Sequence, residues 1–148
     1  MSSVSEIMSS NDIVTVTTDS QKTAQDVANL MIKKKVGSVI VIDTKKQPLG
    51  IITERDIIKR VCLENVSANK IQVEEIMSSP LITVMSYDSV DTASRIMTKN
   101  RIKHLVVLEE DNRITGLLSV TDITKKLAKI LLNDYKRHRS LRFAIDFS

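Results

Sequence analysis

Glu6-Ile7-Met8-Ser9-Ser10 returns letter for letter as Glu75-Ile76-Met77-Ser78-Ser79, and Gly50-Ile51-Ile52-Thr53-Glu54-Arg55-Asp56 is answered by Gly116-Leu117-Leu118-Ser119-Val120-Thr121-Asp122. The second pair is separated by 66 residues (116 minus 50). Each copy therefore opens on the same five letters and closes on Gly, two aliphatics, a hydroxyl residue, two variable residues and Asp. The chain is one supersecondary unit written twice, and 148 residues suffice for two small interlocked cores but not for two large independent domains.

Working outward from the closing motifs, Val39-Ile40-Val41-Ile42 and Leu105-Val106-Val107-Leu108 are unbroken aliphatic runs, again 66 residues apart (105 minus 39), and read as buried strands. Ile51-Ile52 and Leu117-Leu118 read as the next strands, entered through Gly50 and Gly116. The polar segments 43–49 and 109–115, equal in length, are then hairpin loops. Ahead of each hairpin, Ala24, Val27, Ala28, Leu30 and Met31, then Val90, Ala93, Ile96 and Met97, recur at helical spacing. Behind each hairpin a second helix is predicted, through Ile57, Ile58 and Val61 in copy one and Ile123, Leu127, Ile130 and Leu131 in copy two. Segments Ile13 to Val16 and Leu81 to Val84 add a strand at the front of each copy. The predicted fold class is α/β (α+β), with two β-α-β-β-α repeats.

Hydrophobic content of 42% with 27% charged residues is that of an ordinary soluble globular chain. No apolar run approaches the ~20 residues of a membrane span, and the N-terminus lacks a secretory layout, so a cytoplasmic location is expected. The lone Cys62 has no intrachain disulfide partner and is expected to be a small buried side chain. With only His104 and His138 besides, no Cys/His metal set is written. The net charge of +4 belongs to the tail: residues from Thr124 onward hold seven basic and two acidic residues, leaving 15 basic and 16 acidic residues before it.

The ordered set of Ile-Met-Ser-Ser, Val36-Gly37-Ser38-Val39-Ile40-Val41-Ile42-Asp43 and Gly50 to Ile57, occurring twice at one spacing, resembles the cystathionine-β-synthase (CBS) domain pair over residues 4 to about 127. The resemblance implies repeats at 4–62 and 73–127, a linker at 63–72 and a basic helical extension at 128–148. It also implies two sheets packed with pseudo-twofold symmetry and a homodimer shaped as a flat disc. Such pairs regulate by binding AMP, ADP, ATP, S-adenosylmethionine or related ligands in up to two clefts, and are not themselves enzymes.

By the same resemblance, the ligand meets Thr53 with Asp56 and Ser119 with Asp122, the Asp gripping ribose hydroxyls and the Ser or Thr approaching phosphate. The chemistry is sound, because a carboxylate accepts from two neighbouring hydroxyls and helix-start amides attract phosphate. Thr-x-x-Asp and Ser-x-x-Asp ahead of an apolar helix are equally capping boxes. The usual box partner is Glu or Gln, so Asp in both copies favours binding, and both roles can coexist. Candidate phosphate partners are Arg55, Lys103 and His104. Gly37 and Ser38 hold the positions of Lys103 and His104 in copy one, so the two clefts should differ in charge. Val14, Thr15, Ile82 and Thr83 match the family's adenine-lining stretch, and plain strand packing accounts for them as well. Val120 and Thr121 depart from the basic residue at Arg55, and one occupied cleft is expected rather than two.

Leu127, Ile130, Leu131 and Tyr135 lie on one side of a continued last helix, which is expected to pack on its own domain or on a twin subunit. Lys136-Arg137-His138-Arg139, with Arg142, reads as a solvated face, and as a meeting point for nucleic acid phosphates or acidic lipid in the alternative. No Trp, two Phe and two Tyr leave few stacking platforms for nucleic acid. No Walker loop, Gly-x-Gly-x-x-Gly or nucleophile elbow supports an enzyme. A third reading is a dimerising scaffold without ligand, with no cofactor required.

Overall fold

The computed structural model describes residues 2–9 and 13–146, with side chains described as far as Arg139. In chain order the elements are α1 (Val4–Ile7), β1 (Thr15–Thr17), α2 (Ala24–Lys34), β2 (Ser38–Ile42), β3 (Pro48–Thr53), α3 (Glu54–Ile57), α4 (Val73–Ile76), β4 (Thr83–Met85), α5 (Val90–Asn100), β5 (His104–Leu108), β6 (Ile114–Ser119) and α6 (Val120–Asp146). The strands make two three-stranded sheets of order β1-β2-β3 and β4-β5-β6. In each, the first strand runs parallel to the second and the third antiparallel to it, so α2 and α5 are the crossover helices that parallel pairing requires. The front strands begin at Thr15 and Thr83, two residues later than the sequence pattern suggests. Gly50 and Gly116 lie inside strands rather than at their entry.

The unbroken aliphatic runs are explained by burial on both faces. Val39 and Val41 join Val27, Met31 and Ile52 in the core of the first unit, while their neighbours Ile40 and Ile42 turn the other way. Leu105 and Val107 do the same for the second unit, and Val106 and Leu108 turn away from it. The outward-turned residues meet Leu117 in a third cluster shared by the two sheets. Side chains alternate along a strand, so a strand with a helix on one face and a sheet on the other needs an apolar residue at every position.

The two units exchange their opening segments. Val4 is fully buried in the second core with Ile7 and Met8 beside it, and Val73 and Ile76 are buried in the first core with Met77. Backbone bonds hold the exchange: the Val4 N–H donates to Asp88 O at 2.8 Å and the Val73 N–H to Lys22 O at 3.1 Å. The linker also does structural work, because Ile71 O and Ala68 O accept from the Ala24 and Gln25 N–H groups at 2.9 and 3.0 Å. These are first-turn donors of α2 that have no partner within the helix.

Behind the hairpins the copies diverge. The first closing helix is a single α-turn that widens into a π-turn over Ile58–Cys62, where the Leu63 N–H reaches Ile58 O at 2.9 Å. The second runs unbroken for 27 residues. Cys62, expected inside, is exposed at the end of the π-turn. It follows Val61 by one residue, and one residue of helix turns a side chain roughly a quarter turn away from the face that buries Val61.

Candidate functional site

Opening and closing motifs recur together because they touch. Ser78 bridges Ile51 of β3, and Ser9 bridges Leu117 of β6, so each closing strand carries the opening motif of the other repeat along it. A methyl group at Gly50 would lie 2.7 Å from the Ser78 carbonyl oxygen and 2.9 Å from the Met77 sulfur. At Gly116 it would lie 2.5 Å from the Met8 sulfur and 3.1 Å from the Ser9 carbonyl oxygen. At Gly50 the approach of a backbone oxygen requires glycine, while at Gly116 the nearest atom ends a flexible methionine side chain and the backbone oxygen leaves a tight fit.

The same crossing builds the candidate site at Asp56. Thr53 caps α3, its Oγ1 accepting from the Asp56 N–H at 3.4 Å. Asp56 Oδ2 accepts in return from the Thr53 N–H at 2.8 Å and from Thr53 Oγ1 at 3.1 Å. Asp56 Oδ1 accepts from Ser78 Oγ, which belongs to the other repeat, at 3.1 Å. A carboxylate offers about four acceptor positions, so three donors leave room for another. In copy two, Asp122 Oδ2 accepts from the Ser119 N–H at 2.8 Å, and the Asp122 N–H donates to Ser119 Oγ at 3.1 Å.

Both Asp residues therefore complete capping boxes. A third box of the same letters caps α2, where Asp26 Oδ2 accepts from the Thr23 N–H at 2.9 Å and from Thr23 Oγ1 at 3.1 Å. The Thr23 backbone bond, then its hydroxyl and the nearby Lys22 charge, hold the Asp26 carboxyl below its ordinary range. Asp in place of Glu is thus a capping habit of this chain and carries no argument for a ligand. What separates Asp56 from Asp26 is Ser78, a donor reached across the seam between repeats.

Gly37 and Lys103 pin the starts of the closing helices through their carbonyl oxygens, which accept from the Glu54 and Val120 N–H groups at 3.2 and 3.0 Å. Ser38 is buried opposite Thr53, whereas His104, opposite Ser119, is half-buried. Burial pushes the His104 imidazole below its ordinary pKa; Asp122 and Glu54 pull it back up, and Lys103 pushes it down. Glu54 is the first residue of α3 and belongs to the other repeat. Lys103 and Arg55 are exposed.

Val14 and Ile82 pack against the cores of their own units, so what they offer a ligand is backbone; the Val14 carbonyl already accepts from the Ile40 N–H at 2.9 Å. Thr15 is exposed and Thr83 half-buried. Residue-by-residue reading overlooked Ser78 and Glu54. The signal for Ser78 was the exact recurrence of Met-Ser, which implies a contact shared by both copies. A shallow cavity of about 210 Å³ bordered by Val16, Lys22, Asp26, Asn29, Leu30 and Lys33 includes no residue of either closing motif. Among the described residues no cluster of three or more His, Cys, Asp or Glu is placed to hold a metal ion, and no helix is long and apolar enough to cross a membrane.

Comparison with known proteins agrees with this architecture. An uncharacterized protein of Methanopyrus kandleri is 31% identical over 108 residues, covering 73% of this chain and 55% of the relative. The chain thus spans little more than half the length of that curated relative. A putative signal-transduction protein with CBS domains from Burkholderia ambifaria superposes with a TM-score of 0.78 at 33% identity, covering 85% of this chain and 93% of the other. The CBS domain pair of protein MJ0100, solved in complex with 5′-methylthioadenosine and S-adenosyl-L-methionine, gives 0.74 at 27% identity, covering 85% and 99%. The family model of the CBS domain matches twice, over residues 4–62 and 73–129. The chain therefore belongs to the CBS domain family, as a pair of its repeats.

Proposed function

We propose that the chain is a regulatory module that binds an adenosine-containing ligand, AMP, ADP, ATP or S-adenosylmethionine, in clefts between its repeats. The observation that carries this reading is the bond from Ser78 to Asp56, which sets a half-buried carboxylate of one repeat against a hydroxyl of the other. A ribose diol supplies the same kind of donor and can take Ser78's place on Oδ1. The ligand complex of the MJ0100 pair supports the class of molecule. Binding at the seam shifts the relative orientation of the repeats to the extent that the ligand prefers one arrangement, and a partner protein reads the shift. The chain needs no catalytic group for this role.

Calorimetric titration with AMP, ATP and S-adenosylmethionine tests the reading, on the wild type and on Asp56→Asn and Asp122→Asn. Saturable binding that one substitution weakens at least tenfold, about 1.4 kcal/mol or more, is expected while the melting temperature stays near wild type. No heat with any of the three, in a folded protein, favours the ligand-free scaffold.

We infer as well that two copies associate. In support, Leu127, Ile130, Leu131 and Tyr135 on α6 are each about half exposed or more, so that face does not pack on its own domain. A row of apolar residues at helical spacing gains stability when a second helix covers it.

A further inference from the structure

Ser78 reaches the Asp56 site from a backbone that is held in place. Its N–H donates to Ile51 O at 2.8 Å, and its carbonyl oxygen accepts from the Ile51 N–H at 3.1 Å. The same carbonyl oxygen lies so close over Gly50 that an added methyl group there would come within 2.7 Å of it. With both backbone groups bonded to β3, the hydroxyl moves by rotation about χ1, and where it stands it meets Asp56 Oδ1 at 3.1 Å. Ser78 is exposed, so a hydroxyl turned away from Asp56 finds water.

The number of acceptor positions on Asp56 gives this bond its consequence. A carboxylate takes about four donors. Three are in place: the Thr53 N–H, Thr53 Oγ1 and Ser78 Oγ. The two Thr53 bonds belong to the cap of α3 and persist as long as that cap does. A ligand that brings one hydroxyl takes the remaining position and leaves Ser78 where it is. A vicinal diol brings two donors, and the second has only the position of Ser78 to take.

We propose that Ser78 is a specificity residue, whose hydroxyl holds the position on Asp56 that the second hydroxyl of a ribose diol needs, and so narrows the preference of the site for ribose over deoxyribose. Ribose displaces Ser78, whereas 2′-deoxyribose does not. This inference rests on the adenosine-binding reading above and deepens it, by assigning the discrimination between sugars to a residue of the opening motif, outside the Thr/Ser-x-x-Asp pairs.

The test is Ser78→Ala, titrated by calorimetry with adenosine and 2′-deoxyadenosine. Both probes are uncharged and differ by one hydroxyl, so the exposed charges at the closing motifs, Glu54, Arg55 and Lys103, act on both alike. Adenosine should bind Ser78→Ala roughly fivefold tighter than wild type, the scale of one net hydrogen bond, while 2′-deoxyadenosine stays within about twofold. Ser78→Thr, which keeps a hydroxyl on the same carbon, should return the wild-type ratio of the two affinities. The bonds from Ser78 to Ile51 are made by backbone alone, so both variants should melt near wild type. Weaker adenosine binding in Ser78→Ala would make the hydroxyl a ligand contact and overturn the assignment. Equal changes for both probes, or no change for either, would overturn it too, because the hydroxyl would then be indifferent to the second donor. If neither probe binds the wild type or either variant, the adenosine reading itself fails, and the specificity role with it.

Discussion

Gly37, Gly50 and Gly116 are the three glycines of the chain, and they stand in different relations to their surroundings. At Gly50 and Gly116 an added methyl meets the backbone oxygen of Ser78 or Ser9 and a methionine sulfur from the other repeat; at Gly37 it meets only the carboxylate of Glu54 at ordinary contact distance. Gly50→Ala and Gly116→Ala should therefore each destabilise the fold by about 1–3 kcal/mol, the cost of forcing an extra group into a packed site. Gly37→Ala should stay within about 0.5 kcal/mol of wild type. Urea denaturation of the three variants measures the contrast, and equal losses at all three would contradict the crossing of the motifs. At this scale the capping boxes were legible in the sequence and the contacts between motifs were not. Thr53, Asp56, Ser119 and Asp122 stand out by recurrence alone, but their boxes are local, three residues apart, whereas Ser78 reaches Asp56 across 22 residues of chain. Spacing within a motif cannot show a contact between motifs.

Strands and crossover helices were legible because period and burial agree: the runs at 39–42 and 105–108 are apolar at every position and both faces are covered. The short helices α1 and α4 were not. Four residues carry too little periodicity to stand out, and their apolar side chains are buried in the unit built mostly by the other repeat. The closing helices could not be told apart either, since the π-turn at Ile58–Cys62 is made of residues that would serve an α-helix equally well. The exchange at α1 makes a specific demand. Val4→Ala should cost about 2 kcal/mol, and its effect should appear in the second unit. Hydrogen exchange is expected to quicken in β4, β5 and β6 while β2 and β3 remain protected. Faster exchange confined to the first sheet would show that α1 packs elsewhere.

For the whole molecule, two sheets face one another through Ile40, Ile42, Val106, Leu108 and Leu117, and each is backed by its own helices. The basic cluster Lys136 to Arg139 is exposed, as a solvated face should be; the side chain of Arg142 lies outside the described residues. The row from Leu127 to Tyr135 lies on the same helix. If that row is the contact between copies, light scattering should give twice the 16.6 kDa chain mass for the wild type and the single mass for Leu131→Glu, with the melting curve of each body preserved. A monomeric wild type would leave the row to another partner.

The exchange of α1 and α4 also imposes an order on synthesis. A chain leaving the ribosome releases Val4 well before Val84, Leu105 and Leu118, which line the cavity that receives it. The first unit can close as soon as Met77 has emerged, since its core needs nothing beyond that residue. The α1 segment thus finds its place only after the second repeat has been made, and until then the nascent chain carries an apolar segment that has nowhere to dock.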